Sequence, residues 1–544
     1  MNLAHHNSVW NTRRGAAFGF NTISQLASEQ LQPYLPSIVP KLYRYQFDPN
    51  PKIQQSMESI WNSLIKQDNK KILDQYLDKI LIDLEENMLA PLWRVRESCC
   101  NALSDLLKGG RNLESISDKF GPFWSLLFKL ADDIKESVRS AAELALKSLQ
   151  RTTISYSTSV SNKTTCEKTI NSVLPVLILD GLQSNLNEVR NISVLTIRDL
   201  VKQSSSFLIK PYLVDLIINL LETLSGYEPP DLNYISLKLG SQDAQEKLDM
   251  ARISSSKNTP MVEIINMNIE HLNDEQILAD LIPKLIDIIK RGLGVSTKAG
   301  VCHVICTLVD QQPEKMSQYS GKILAALVNC MSNEQNKTIN KCYCGCIGSI
   351  VKVAKDSSIE NLLNKLQEWY FEREDEGIKL SCGNTLLAIA QNNNELIMKF
   401  SKKCIPFVFF AIHNPNEQQM KLKQQQQLEQ DPNSFKFDLF KPIGQMEGSG
   451  QNSSSSVWFD VWEDITSGTE YAIRANISEI LKFIKSGFEH QSWNLRIQSA
   501  LAIRTICSKL QSNIETNHIN EILSMLNSAL STRTWTGKVC LKLH

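Results

Sequence analysis

From Ile53 the apolar side chains fall at Met57, Ile60, Trp61 and Leu64, offsets of 4, 7, 8 and 11 that mark one face of an α-helix. The pattern restarts at Val95 (Cys99, Ala102, Leu103, Leu106), Val138 (Ala142, Ala145, Leu146, Leu149) and Ile339 (Tyr343, Cys346, Ile347, Ile350). From Leu495 it runs through Ala502, Ile503 and Ile506, with Ser499 at the +4 place. Weaker copies begin at Thr12, Val189, Thr297, Ile378 and Thr536. Successive starts lie 41, 42, 43, 51, 108, 42, 39, 117 and 41 residues apart. A unit of about 40 residues is the helix-pair period of HEAT and armadillo arrays. The two long gaps are near multiples of it plus inserted sequence.

Between starts lies a second amphipathic stretch, as in "QYLDKILIDLEENM" and "LADLIPKLIDIIKRGL". Sustained period-2 alternation bounded by hairpin turns is missing. The pattern predicts an all-α fold, an α-α superhelix (HEAT/armadillo-like solenoid) of about a dozen helical hairpins. Residues 1–413 form one stretch of solenoid and 457–544 continue it.

The stretch "LYRYQFDPNPKIQQSMESIW" (42–61) reads as a hairpin corner between a helix ending near Tyr45 and one beginning near Ile53. Pro49 and Pro51 suit a helix end and a helix start, because proline lacks the N–H that a helix interior needs. Asp48 and Asn50 are suited to cap the entering helix. Tyr43, Tyr45 and Phe47 are expected to pack under the corner; partner binding is the minority reading.

Two interruptions stand out. Residues 226–262 hold "GYEPPDLNYISLKLG" and "ARISSSKNTPM", a Pro/Ser-marked excursion compatible with an ordered surface element. Residues 414–456 are Gln/Ser/Gly-rich and are expected to be a disordered loop. A shorter loop at "TTISYSTSVSNKTT", before Cys166, would account for the 51-residue spacing.

Composition narrows the function. The 58 basic residues balance 58 acidic ones, so no general electrostatic pull toward nucleic acid or anionic membrane exists. The 13 cysteines, with no signal-like N-terminus, argue for a reducing compartment and free thiols. Apolar runs such as "CIPFVFFAI" fall far short of the roughly 18 residues of a membrane span. The expectation is a cytoplasmic protein, with the nucleus also open to it, and no direct membrane insertion.

Candidate chemistry is weak throughout. Cys342, Cys344 and Cys346 in "CYCGC" invite a metal, but alternate positions on a helix face different ways and no histidine follows at zinc-ligand spacing. They read as structural thiols, as do Cys99, Cys382 and Cys540 at +4 places. "GLGVSTKAG" carries Lys298 but lacks the order of a P-loop, and reads as a glycine-ended helix entering the next hairpin. Convincing nucleophile or H-E-x-x-H patterns are missing, and "FEREDEG" reads as a solvated charge run. Catalytic, cofactor and metal residues are therefore assigned as none, with no cofactor expected. Trp93, Trp493 and Trp535 recur just before a repeat start, either as inter-repeat packing or as an exposed ridge of partner anchors.

The strings "RRGAAFGFNTIS", "YLPSIVPKLYRYQFDPNPKIQQSM", "WRVRESCCNALSDLLKG", "DDIKESVRSAAELALKSL", "ARISSSKNTPMVEIIN" and "RTWTGK" resemble, in order, the C-terminal portion of the proteasome-associated HEAT-repeat adaptor and scaffold family. The resemblance spans Thr12 to Lys538. It implies a non-enzymatic adaptor that binds the 26S proteasome through its core and regulatory particles, supports assembly quality control, and tethers proteasomes to other components; other protein partners are expected. Members are much longer, and both ends look cut mid-unit, so the chain is expected to be a fragment or an incomplete gene model. The resemblance carries over no partner-binding residue. The runner-up is a HEAT transport receptor or phosphatase scaffold.

Overall fold

The computed structural model describes residues 10–26, 30–64, 69–108, 113–158, 162–228, 230–238, 240–415 and 457–531. Among them every regular element is helical. By contacts the chain divides into two units, residues 1–235 with 251–285, and residues 236–250 with 286–544.

In the first unit the hairpins pair Leu35–Tyr45 with Pro51–Leu64, Asn69–Asn87 with Trp93–Lys108, Phe120–Leu130 with Glu136–Tyr156, and Lys163–Val176 with Asn187–Gln203. A fifth pairs Leu213–Thr223 with Pro260–Ile269, and the excursion lies between its two helices. Second helices stack on second helices: Trp93–Lys108 on Glu136–Tyr156, that on Asn187–Gln203, and that on Pro260–Ile269. First helices stack in the same way, Leu35–Tyr45 on Asn69–Asn87 and Phe120–Leu130 on Lys163–Val176. No hairpin closes a core alone; its apolar stripe is covered by its neighbours.

The repeat register explains this stacking. Val95, Cys99, Ala102, Leu103 and Leu106 are all fully buried, as are Val138, Ala142, Ala145 and Leu149. Ile53, Met57 and Ile60 are equally covered. Each such side chain contributes about 1.5–3 kcal/mol of burial. Of the weaker copies, Val189 and Thr297 are fully buried, whereas Thr12 is exposed on the helix Trp10–Leu26, although that helix packs on Pro51–Leu64 as a second helix should. The copy at Thr536 lies outside the described residues.

In the second unit Pro313–Asn333 pairs with Lys337–Ile350, Asp356–Glu372 with Glu376–Asn392, Ser401–Ala411 with Val457–Ile465, and Ile477–Glu489 with Trp493–Leu510. Val295–Gln311, Lys337–Ile350, Glu376–Asn392 and Val457–Ile465 stack in turn as second helices. Gly348 permits one of these approaches, since a Cβ there would stand 2.6 Å from the Ala388 carbonyl oxygen. Farther along, Tyr370, Phe407 and Trp458 meet edge to face with centroids 5.4 Å apart. Here the Gln/Ser/Gly-rich segment falls between the two helices of one hairpin, and the chain re-enters the second-helix row at Val457.

Three expectations change. The expected loop from Thr152 is helical as far as Tyr156, since the helix runs unbroken over Glu136–Tyr156 and its 21 residues absorb part of the 51-residue spacing; residues 159–161 lie outside the described residues. Its hydroxyls are satisfied inside the helix, Thr152 Oγ1 donating to Ser148 O (3.0 Å), while Thr153 Oγ1 accepts from Trp124 Nε1 at 3.1 Å. The excursion ends before 262, because Pro260–Ile269 is a repeat helix with Met261 fully buried; Thr259 caps it, its Oγ1 accepting from Val262 N. Within the excursion, Pro230–Lys238 and Gln242–Lys257 are ordered helices. Asn414, where the loop was expected to begin, is buried and donates to Glu376 Oε2 at 3.1 Å. Residues 416–456 lie outside the described residues.

Candidate functional site: the hairpin corners and the second-helix face

Corners recur with one chemistry. Five positions before a repeat start, a side-chain acceptor takes the backbone N–H two residues on: Asp48 from Asn50 (2.9 Å), Asp133 from Lys135 (2.9 Å) and Ser184 from Leu186 (3.2 Å). Glu334 does so from Asn336 (3.1 Å) and His490 from Ser492 (3.1 Å). These side chains fold the turn by satisfying a donor that the new helix leaves unpaired.

One position after the start stands a base that holds the same corner. Arg96 Nη1 donates to the carbonyls of Ala90 (2.8 Å) and Pro91 (3.0 Å), Arg139 to Asp133 (2.7 Å) and Ile134 (3.1 Å), and Arg496 Nε to His490 (2.8 Å). Arg96 also reaches the next corner, its Nε and Nη2 donating to both carboxylate oxygens of Asp133 at 2.6 and 3.0 Å. Lys298 repeats the link to Glu334 at 2.7 Å. Burial pushes the Asp133 carboxyl up, but the Arg96 guanidinium and the Lys135 N–H outweigh it and hold it below the usual carboxylate range. These bridges set the spacing of successive hairpins. Their signal was present in the sequence, as Arg96, Arg139, Lys298 and Arg496 all follow a repeat start.

The 42–61 corner is a packing element. Tyr43 and Tyr45 are buried, Tyr43 meets Phe47 edge to face at 5.6 Å and Trp61 at a tilt at 5.9 Å, and its hydroxyl donates to Asp105 Oδ2 at 2.8 Å. Asn50 Oδ1 accepts from Lys52 N at 3.1 Å, and Pro51 opens the helix.

The recurring tryptophans divide. Trp93 is half-buried under the ammonium of Lys135, 5.2 Å from its ring centre, which ties it to the next corner. Trp493 is 54% exposed, so that ring is open to a partner. Trp535 lies outside the described residues. Leu89 and the fully exposed Ile134 also stand on corners in the first unit. An open groove of about 540 Å³ lies beside them, between Trp93–Lys108 and Glu136–Tyr156, bordered by Glu97, Lys135, Ser140 and Leu144.

The cysteines sit as the register predicts. Cys344 and Cys346 are buried and Cys342 half-buried on Lys337–Ile350, and Cys99 and Cys382 are buried as well, while Cys540 lies outside the described residues. Cys344 Sγ lies 3.3 Å from Thr385 Oγ1, and burial pushes its thiol up to about 12. Among the described residues no group of three or more His, Cys, Asp or Glu is placed to hold a metal ion. Lys298 belongs to the inter-hairpin bridge, and Gly294 takes a left-handed φ of 91° where Glu275–Arg291 hands over to Val295–Gln311. Asp375, in the charge run, caps Glu376–Asn392 by accepting from Gly377 N at 2.8 Å. No described helix is long and apolar enough to cross a membrane.

Stacked hairpins with a repeated corner define a HEAT-repeat protein. Residues 209–371 match the model "Proteasome adapter and scaffold protein ECM29, HEAT-repeat domain". The chain is 38% identical over 538 residues to "Proteasome adapter and scaffold protein ECM29" of Homo sapiens, covering 99% of this chain and 27% of that protein. It is 30% identical over 560 residues to "Proteasome-associated protein ECM29 homolog" of Drosophila melanogaster, covering 99% and 28%. The chain is thus similar to ECM29 proteins along nearly all of its own length and spans little more than a quarter of the length of these curated relatives. Among solved structures, a crystal structure of importin beta aligns over 99% of this chain and 66% of its own at 10% identity, with a TM-score of 0.33.

Proposed function

We propose that this chain is the docking portion of a non-enzymatic proteasome adaptor and scaffold, corresponding to the C-terminal portion of its family. It links or stabilises core and regulatory particles and tethers proteasomes to other components in the cytoplasm and nucleus. The observation that carries this reading is the match along 99% of the chain to proteins named as proteasome adapter and scaffold. The corner geometry supports it, because rigid hairpins bridged by Arg96–Asp133 and Lys298–Glu334 present long surfaces without distorting. Trp493 and the Ile134 edge are the surfaces proposed to meet the partner. The test is a tagged pull-down from lysate with nucleotide present and subunits identified by mass spectrometry. Enrichment of core or regulatory particle subunits is expected. Their absence, beside a full-length family member that captures them, would assign docking to another part of the protein.

A further inference from the structure

The excursion helix Gln242–Lys257 begins with a segment that, in the second unit, packs on a surface far downstream in sequence. Lys341 Nζ donates to Glu246 Oε1 at 2.5 Å across 95 residues, and Asn336 Nδ2 donates to Asp249 Oδ2 at 2.7 Å across 87. Asp249 is 1% exposed and Leu248 7%. Asn336 caps Lys337–Ile350, its Oδ1 accepting from Thr338 N (2.9 Å) and Ile339 N (3.1 Å), which leaves its amide group to face Asp249. The carboxylate therefore stands off a helix N-terminus, where the macrodipole favours negative charge. A cleft of about 100 Å³ runs along this contact between Gln245, Glu246 and Asp249 on one side and Gln335, Asn336 and Lys337 on the other.

We propose that the 336–341 face is a recognition site for a helix presenting two carboxylates one turn apart, and that residues 242–250 are its resident occupant, exchanged for an acidic helix of a protein partner. Glu246 and Asp249 are three residues apart, so both carboxylates lie on one side of the helix that carries them. The Lys341–Glu246 pair is the more exposed half of the contact, with side chains 47% and 20% exposed, and such pairs are individually weak. The tether supplies occupancy through effective concentration, so displacement needs a partner anchored elsewhere as well. Both sides of the contact lie inside the segment that matches the family model. The inference adds a site and a ligand chemistry to the adaptor reading, and its test uses no proteasome, so the two fail separately.

The probe is a fluorescein-labelled peptide of residues 242–257, titrated by anisotropy into the whole chain. Binding is expected to be at least tenfold tighter to the Glu246→Lys/Asp249→Asn chain than to the original, because the internal occupant has been weakened. Adding Lys341→Glu to that background should abolish the gain. Equal binding to the original and the double variant, or a gain that survives Lys341→Glu, overturns the proposal. Hydrogen exchange in the unsubstituted chain guards against misfolded variants. Excess peptide should raise exchange across 242–250 while leaving 93–108 unchanged, and unaltered exchange across 242–250 refutes the exchange of occupants.

Discussion

The Arg96–Asp133 bridge is predicted to hold two hairpins at a fixed spacing, and its worth follows from its geometry. Two N–H groups meet two carboxylate oxygens at 2.6 and 3.0 Å, with side chains only 17% and 8% exposed. A charge-assisted bond of this kind contributes about 1.5–3 kcal/mol. Arg96→Ala also frees the carbonyls of Ala90 and Pro91, so the single substitution should cost about 2–4 kcal/mol. It falls short of a fully buried broken pair because Asp133 still accepts the Lys135 N–H. A double-mutant cycle with Asp133→Ala removes the corner terms and should leave a coupling of about 1.5–3 kcal/mol. Native-state hydrogen exchange over 93–108 and 136–156 is the assay, since a chain of two units need not unfold in one step. The pH dependence has a definite sign: Asp133 is held below its unfolded value, so its stabilisation is complete above the ordinary carboxylate range and is lost as pH falls through the lower folded value. That dependence should weaken in Arg96→Ala, where the Lys135 N–H alone still bonds the carboxylate. A coupling under about 0.5 kcal/mol would refute the reasoning, being the ordinary scatter of independent sites.

Other consequences are simpler to read. Ala145→Asp places an unpaired carboxylate at a fully buried repeat position and should cost about 4 kcal/mol or more; unchanged thermal unfolding by circular dichroism would contradict the register. His413 is held neutral by burial, which pushes it down to about 4 against a hydrogen bond to the Phe409 carbonyl. The unfolded chain takes up that proton first, so acidification from the ordinary histidine range toward about 4 should remove about 3 kcal/mol around 401–415, and exchange there that ignores pH would refute it. Deleting 419–455 should leave helical content nearly intact, because a Gln/Ser/Gly-rich sequence offers little apolar surface to a helical core; a cooperative loss of fold would show otherwise.

The helical faces were legible because the 3.6-residue period and the repeat of about 40 residues reinforce each other. Ile53, Val95 and Val138 all mark buried positions. Corners were partly legible: Pro51 and Asn50 announced one, while the base after the starts at Val95, Val138, Thr297 and Leu495 carries meaning only once its partners are seen. Polar composition misled at Thr152–Tyr156, where hydroxyls bond back along the helix and to Trp124 in place of solvent. The Glu246–Lys341 contact had no local signature at all, since 95 residues separate its ends. Trp93 and Trp493 occupy equivalent sequence places yet differ in exposure, because Lys135 of the following corner covers only the first.

The central proposal is that this chain binds proteasomes by itself. Co-sedimentation of the purified chain with purified 26S proteasome, alongside Trp493→Ala, addresses it directly. The account predicts that the chain pellets with proteasomes saturably and that Trp493→Ala, with unchanged helical content, pellets at least tenfold less well. A chain that stays in the supernatant while a full-length relative sediments would contradict it.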